Sequence, residues 1–427
     1  MTDIFDSSDY KKSRGFYSAQ CAFEYFISIL AADAFLAKLL KDIGLSDALT
    51  GVLSSLISFT FMFQLISIPL AGRLKNVKKP IIILDTLSQL FFAAMYAVPF
   101  LPIGITGKTV AVTGLILLAY LTLYMNNNLC YKWGNSFVSP EKRGSFSATK
   151  EMISLLSGVF FTLGAGFVTD RYEACGNLHG AFIFLAIAMV IICGFNFVCL
   201  ANMKEKPLSE SGANQSAREI INRTFKNKKC RNAMILTAIT DFARYMTLGF
   251  MGTYKTIDLG FSVSTIQIFN VAACMGRFAI SKPLGRYSDR KGFAKGYFLG
   301  NIITVFSFII GMFTSFKSRW LILPFTMLFQ MSYAGTNQNT YNMMYSYVDD
   351  EYILPAMAVN NSVRGIFGFL ASFIGSSVLS SVQDAGNTFC GMNVSGQQVL
   401  CAISAVLTAA ALIFNKKVVS KQIEEKK

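Results

Sequence analysis

Apolar runs of about 20 residues, separated by short polar segments, recur along the whole chain. As a helix, each run is long enough to cross the roughly 30 Å of hydrocarbon in a bilayer. The pattern therefore predicts an all-α membrane protein with twelve transmembrane helices. The predicted spans are 15–40, 48–70, 80–101, 110–134, 148–168, 181–201, 233–254, 264–284, 297–316, 321–345, 356–378 and 396–414.

The second half of the chain repeats parts of the first. Asn126-Asn127-Asn128 recurs as Asn337-Gln338-Asn339, and Ile43-Gly44-Leu45-Ser46 recurs as Leu259-Gly260-Phe261-Ser262. Repeated helical blocks in an apolar chain are typical of solute transporters. The repeat predicts two pseudo-symmetric six-helix bundles. The predicted segments are a cytoplasmic tail at 1–14, the first bundle at 15–201, a central cytoplasmic loop at 202–232, the second bundle at 233–414 and a cytoplasmic tail at 415–427.

The basic residues are unevenly distributed. The chain is 53% hydrophobic, only 15% charged and has a formal net charge of +15, yet most of its 39 lysines and arginines lie in the tails and in alternate loops. Since lysine and arginine concentrate on the cytoplasmic side of a membrane, we expect both termini in the cytoplasm and a multi-pass protein of the plasma membrane. We therefore expect the charge to reflect this topology and not a nucleic-acid partner. The predicted outer loops carry only Lys41, Lys108, Arg171, Lys255, Lys317 and Arg319.

A short basic segment in the second half reads Gly285-Arg286-Tyr287-Ser288-Asp289-Arg290-Lys291-Gly292. It resembles the loop signature of the major facilitator superfamily, in which a glycine, an aspartate four residues later, a basic residue and a second glycine form a tight turn. The resemblance implies two bundles that rock around a central site, and a transporter that works as a monomer. The first-half copy keeps Gly72 and Arg73 but has Asn76 at the aspartate position. We therefore expect this copy to hold its turn more weakly.

Charged residues inside the predicted spans are the first candidates for function, because each costs several kcal/mol in lipid unless it is paired or hydrated. Glu24 in span 1 and Asp241 in span 7 lie at similar depths, as coupling or solute residues would. Burial favours the neutral form of a carboxylate, so either group could bind and release a proton. Arg244, one helical turn after Asp241, offers a structural ion pair as the alternative. Glu24 has no such neighbour, and its alternative partners are Lys150 and Arg277.

Amide and aromatic side chains form the second set of candidates. Amides can pair with sugar hydroxyls as donors and acceptors, and sugar C–H faces lie well on aromatic rings. Consecutive helical residues point about 100° apart, so some amides are instead expected to hold helices together. The candidates in this set are Asn126, Asn128, Tyr131, Asn337, Asn339 and Tyr341.

Arg364 lies near the predicted cytoplasmic end of span 11. We expect it at an inner gate or in helix-end pairing.

Other classes of function fit the sequence less well. The chain has no Gly-x-x-x-x-Gly-Lys-Ser/Thr loop for nucleotide. Its single histidine, His179, has only Asp170 and Glu173 nearby in sequence, which argues against a membrane enzyme. A channel would need symmetry around a pore that a twofold repeat in one chain does not readily supply. The spacings match no metal knuckle, and we expect neither a metal nor a cofactor.

A secondary active transporter is therefore the leading prediction. We expect alternating access with H⁺ or Na⁺ as the coupling ion, and uptake of a sugar or glycoside as the transported class. The alternative is proton-coupled export of drugs or metabolites. Exporters of the superfamily carry a glycine-rich stretch on helix 5 that ends in Gly-Pro, whereas span 5 here has Gly158, Gly164 and Gly166 without a proline. This difference favours uptake.

Overall fold

The computed structural model describes residues 7–64, 76–139, 143–205, 217–348, 352–389 and 392–424. Within them the regular secondary structure is helical apart from a pair of two-residue antiparallel strands, Thr388–Phe389 and Met392–Asn393. The main helices are α1 (Ser8–Leu30), α2 (Asp33–Ile43), α3 (Asp47–Ser54), α4 (Leu56–Thr60), α5 (Lys78–Met95), α6 (Ile105–Asn135), α7 (Arg143–Ala174), α8 (Leu178–Asn202), α9 (Ala217–Lys226), α10 (Lys228–Leu248), α11 (Val263–Lys291), α12 (Phe293–Met312), α13 (Ile322–Tyr347), α14 (Ile353–Asp384) and α15 (Gly396–Phe414).

Long apolar helices confirm that the protein is built for a bilayer. Seven helices in the described residues are long and apolar enough to cross one, and the most apolar, α8, reaches a mean hydropathy of 2.7. Large apolar side chains on these helices face outward, among them Phe160 at 78% and Phe167 at 68% exposure. Exposed apolar surface of this kind suits lipid and not water. The count of twelve spans stays a prediction.

The first predicted span is two helices and not one. α1 ends at Leu30 and α2 begins at Asp33, whose φ of +47° breaks the helical path. Aspartate tolerates this left-handed region better than most residues. α1 also begins at Ser8, inside the predicted tail. In the second predicted span, helices α3 and α4 and a 3₁₀ turn at Phe61–Phe63 are described, and the following residues 65–75 are outside the described chain.

The repeated sequence around Gly44 and Gly260 forms the same turn twice. Both glycines have positive φ, +95° and +66°. Two residues later, Ser46 and Ser262 each accept a backbone N–H at 3.3 Å and so cap the next helix. Glycine adopts the positive φ that the turn requires, and serine accepts a hydrogen bond from a free amide at the start of the next helix. The repeat in sequence is therefore also a repeat in local structure.

The segment from Gly285 to Gly292 is not the loop that the sequence predicts. α11 continues to Lys291, and Gly292 alone connects it to α12 with φ +100° and ψ 147°. Its N–H bonds the carbonyl of Ser288 at 2.8 Å, which closes the last turn of α11. Asp289 lies in this last turn. Glycine is required at position 292 because side chains exclude this backbone conformation.

The chain forms two compact units. The first unit comprises Met1–Leu45 and Phe63–Gln215, and the second unit comprises Ser46–Met62 and Ser216–Lys427. In the first unit, Trp133 and Phe137 are fully buried in a core with Tyr17. In the second unit, α3 packs tightly because a Cβ on Gly51 would lie 2.0 Å from the ring of Phe250. The six-plus-six division remains a prediction.

Close packing of α12 on α13 yields a test of the fold. A Cβ on Gly335 would lie 2.7 Å from the Cα of Gly300, a backbone atom that cannot rotate away. We expect Gly335→Ala to destabilise the protein by about 1–3 kcal/mol, as overpacking does. Thermal unfolding of the full-length protein in detergent measures this effect.

Gly114→Ala in α6 is the matched control, because a Cβ there meets open space. It should leave the unfolding temperature unchanged or raise it slightly, since alanine favours helix by about 1 kcal/mol over glycine. Equal unfolding temperatures for the two variants would contradict the close approach of α12 and α13.

Candidate functional site

A polar cavity of about 290 Å³ lies within the first unit. Helices α1, α6 and α7 supply its walls. On α1 the lining positions recur at three- and four-residue steps, which places them on one helix face. The lining residues are Tyr17, Gln20, Cys21, Glu24, Tyr25, Ser28, Asn127, Cys130, Tyr131 and Lys150.

Glu24 and Lys150 are the two charged groups that line this cavity. Gln20 is fully buried and donates from Nε2 to Glu24 Oε2 at 2.8 Å. Lys150 Nζ donates to the Tyr17 hydroxyl at 3.3 Å and lies 4.6 Å from the centre of that ring. The opposite charges attract each other, although they form no ion pair in the described structure. Lys150 is thus the partner candidate of Glu24 that lines the cavity, whereas Arg277 belongs to the second unit.

A further carboxylate in the first unit, and a buried one, was not found from the sequence. Asp85 lies in the middle of α5 and is only 1% exposed. It accepts hydrogen bonds from Gln89 at 2.9 Å, from Asn126 at 3.3 Å and from Asn196. Its one sequence signal was an aspartate inside the apolar run 80–101. The amides that surround it come from α5, α6 and α8, so their grouping is visible only in the folded chain.

Asp241 in the second unit pairs with Arg364 and not with Arg244. Arg364 Nε donates to Asp241 Oδ2 at 2.7 Å, and both side chains are largely buried. The alternative offered for Asp241, a structural ion pair, is therefore present, but its partner is not Arg244. Residues one turn apart can meet, but the guanidinium of Arg244 points to hydroxyl groups of α12 and α13, and Arg364 on α14 reaches the carboxylate instead. Arg364 thus forms a buried ion pair that joins α14 to α10. Because the two residues lie 123 positions apart in the chain, the sequence did not reveal this pairing.

Arg244 is fully buried in a cage of hydroxyl groups. Its Nη2 donates to Ser332 and Thr336 at 3.0 Å each and to Thr304 at 3.2 Å. The guanidinium also lies 4.4 Å from the ring centre of Tyr333. Hydroxyl oxygens and the ring face both stabilise a buried cation. Arg244 therefore holds α12 and α13 against α10.

The predicted amide clusters divide between cavity and packing. Asn127 lines the cavity, while Asn126 is 2% exposed and bonds Asp85. Asn339 is equally buried and bonds Ser288 Oγ at 3.0 Å, which ties α13 to α11. Of the remaining candidates, Tyr131 lines the cavity and is 51% exposed, Tyr341 is 46% exposed near Arg364, Asn337 is partly buried, and the side chain of Asn128 lies outside the described residues.

A match to a family model shows the family of this helical membrane protein. The model described as Major Facilitator Superfamily matches residues 17–379, most of the 427 residues. The chain belongs to the major facilitator superfamily. It is a multi-pass membrane transporter and not an enzyme.

Solved structures of other transporters are similar in fold to this chain. The nucleoside transporter NupG matches with a TM-score of 0.68 at 13% identity, over 96% of this chain and 98% of that one. The POT family transporter PepTSo matches with a TM-score of 0.68 at 12% identity, over 95% of this chain and 97% of that one. Identities this low show the fold alone. A search of curated proteins found no match.

The loop signature of the major facilitator superfamily is only partly described in this transporter. Gly72 and Arg73 lie outside the described residues. In the second copy, Gly285, Asp289 and Arg290 all lie within α11, and Gly292 follows it. Arg290 and Lys291 in the last turn complement the negative end of the helix dipole. Whether these residues gate transport stays a prediction.

The Asp241–Arg364 pair predicts a large effect of a small substitution. Asp241→Asn keeps the side-chain shape but leaves the guanidinium of Arg364 buried without its counter-charge. We expect a loss of about 3–5 kcal/mol of stability. The measurement is the thermal unfolding temperature of the purified transporter, with its yield from membranes as a second readout.

Glu173→Gln is the control for this prediction. Glu173 pairs with Lys38, but its side chain is 45% exposed, so losing that pair should cost less than about 1 kcal/mol. A similar small loss for Asp241→Asn would show that the Asp241–Arg364 pair does not stabilise the second unit.

Proposed function

We propose that this protein is a secondary active transporter that takes up a glycoside through coupling to a cation, with Glu24 as a proton-binding residue of the first unit. The observation that carries the proposal is the composition of the cavity. It combines one carboxylate, one amine, two amides and the three tyrosines Tyr17, Tyr25 and Tyr131. Its volume of about 290 Å³ is close to the lower end of the roughly 300–1,000 Å³ found for small-molecule sites.

The aromatic and amide groups of the cavity support a glycoside as the transported solute. Tyrosine rings offer flat faces to sugar C–H groups or to an aromatic aglycone, and their hydroxyls can donate and accept. Gln20 and Asn127 add amide groups to the same walls. Nucleosides are glycosides of this kind, and the similar structure of NupG is named as a nucleoside transporter. That likeness supports the class as an analogy and does not by itself assign a solute.

The charges of Glu24 and Lys150 support coupling of solute transport to a proton. Uptake of a proton by Glu24 removes the negative charge that balances Lys150 around the cavity. The cavity with a protonated Glu24 therefore has a different affinity for the solute from the cavity with an ionised one. A ligand shifts a conformational equilibrium only through such a difference. Two bundles that alternate around the solute would then move it with the proton.

Export of cationic drugs or metabolites is the second candidate. The same cavity places Glu24 among tyrosine rings, and a carboxylate with aromatic faces also suits an organic cation. This alternative predicts a different solute series and the opposite direction of proton movement.

The deciding experiment measures solute-evoked charge movement in proteoliposomes that contain the full-length protein. Glucosides, nucleosides, dipeptides and cationic drugs are added in separate series. We expect glycosides to evoke a current and Glu24→Gln to abolish it, because glutamine cannot exchange a proton. Glu24→Gln should still catalyse exchange of labelled solute, since the cavity walls remain.

Glu173→Gln is the matched control, because it makes the same change at an exposed carboxylate outside the cavity. Its currents should equal those of the native protein. Currents evoked only by cationic drugs would move the assignment to export. Glycoside currents that survive in Glu24→Gln would keep the solute and reject Glu24 as the coupling residue.

A further inference from the structure

An apolar groove of about 510 Å³ lies between α1 and α8 in the first unit. Its volume is within the roughly 300–1,000 Å³ of small-molecule sites. Phe195 and Val198 in its wall are more than half exposed, and they belong to the most apolar of the membrane-type helices, so the groove opens toward lipid. The described residues that line it are Lys12, Gly15, Phe16, Ala19, Phe23, Phe195, Val198 and Cys199.

Small residues on α1 leave the space that forms the groove. Gly15 and Ala19 are four positions apart and so lie on one face of the helix. Glycine in membrane helices commonly allows another helix to approach closely. At Gly15 none does so among the described residues, because a Cβ there would meet no atom within 4 Å. The missing side chain instead leaves room for a molecule from outside the protein.

The groove has one charged end and one apolar end. Lys12 and Phe23 are separated by about 16 Å along the axis of α1, given a rise of 1.5 Å per residue. One leaflet supplies half of the roughly 30 Å of hydrocarbon in a bilayer. At the far end from Lys12, the rings of Phe23 and Phe195 stack with their centres 5.9 Å apart. The length and polarity of the groove therefore match an acyl chain whose headgroup lies beside Lys12.

Lys12 offers a positive charge to such a headgroup. It is exposed and forms no hydrogen bond or ion pair within the part of the chain that the structure describes. Asp9, one turn before it, pairs instead with Lys204 at 3.0 Å. The backbone N–H of Lys204 donates to Ser13 Oγ at 3.0 Å, so the end of α8 lies beside the start of α1. A free cation at this end favours a lipid with a net negative charge.

We propose that the groove is a binding site for an anionic glycerophospholipid, with one acyl chain along Gly15 and Ala19 and the phosphate beside Lys12. The site is distinct from the polar cavity, since α1 directs Gln20 and Glu24 to the cavity and none of the described residues lines both. A bound lipid contacts α1 and α8 together and so stabilises their packing. This binding does not depend on which solute the transporter carries.

The test compares two lipids on the purified full-length transporter in detergent, without any solute. Phosphatidylglycerol or phosphatidylcholine with the same acyl chains is titrated while thermal unfolding is followed. A ligand that binds only the folded state raises the unfolding temperature in a saturable way. We expect phosphatidylglycerol to act at about fivefold lower half-maximal concentration than phosphatidylcholine, the effect of one lysine near an anionic headgroup.

Two variants separate the headgroup from the acyl chain, and each has a matched control. Lys12→Gln should remove the preference for phosphatidylglycerol, whereas Lys11→Gln should keep it, because Lys11 is exposed but does not line the groove. Gly15→Leu should raise the half-maximal concentration of both lipids roughly tenfold or more, since each displaced methylene group weakens binding about fourfold. Gly164→Leu on α7 should leave both unchanged, because a Cβ there also meets open space but lies outside the groove.

Three results would overturn the proposal. Equal half-maximal concentrations of the two lipids on the native protein would reject an anionic headgroup. The same lipid response in Gly15→Leu and Gly164→Leu would reject the groove as the site. A native dimer that Gly15→Leu dissociates, measured by light scattering, would assign the groove to a second copy of the chain. If Gly15→Leu does not fold, the comparison of Lys12→Gln with Lys11→Gln decides.

Discussion

Burial of charge inside apolar helices is the constraint on which the polar structure of this protein depends. An isolated charge in lipid costs several kcal/mol, so each must find a partner or a wet cavity. The structure meets this demand in four ways. Asp241 pairs with Arg364 at 2.7 Å, Arg244 spreads its charge over three hydroxyls and a tyrosine ring, and Glu24 faces a polar cavity with Lys150. Asp85 alone among these groups relies on neutral amides.

The two units therefore differ in the ionisable groups that lie among their helices. In the first unit, Glu24 and Asp85 are balanced by Lys150 among the groups described above. In the second, Asp241 is balanced by Arg364, and Arg244 remains as a cation held by oxygens and a ring. These charges connect α10 to α12, α13 and α14 in the second unit.

Several features of the fold could be predicted from the sequence because they depend on local rules. Apolar runs of transmembrane length gave long helices, and Gly44 and Gly260 gave the same left-handed turn. Helix ends were less well predicted. α11 runs past Gly285 to Lys291, since a basic, polar segment can extend a helix beyond the membrane without breaking it. The break between α1 and α2 depends on the backbone of Asp33, which the apolar pattern does not reveal.

The sequence by itself determined the membrane class, the all-helical fold and the repeated turn at Gly44 and Gly260, because length, hydropathy and local backbone rules are properties of neighbouring residues. Only the tertiary structure decided which side chains meet. Asp85 gains Asn126 and Asn196 from helices 41 and 111 positions away, and Asp241 takes Arg364 at a separation of 123 in preference to Arg244 three residues on. Such partners are chosen by how helices pack, and packing depends on the whole chain at once.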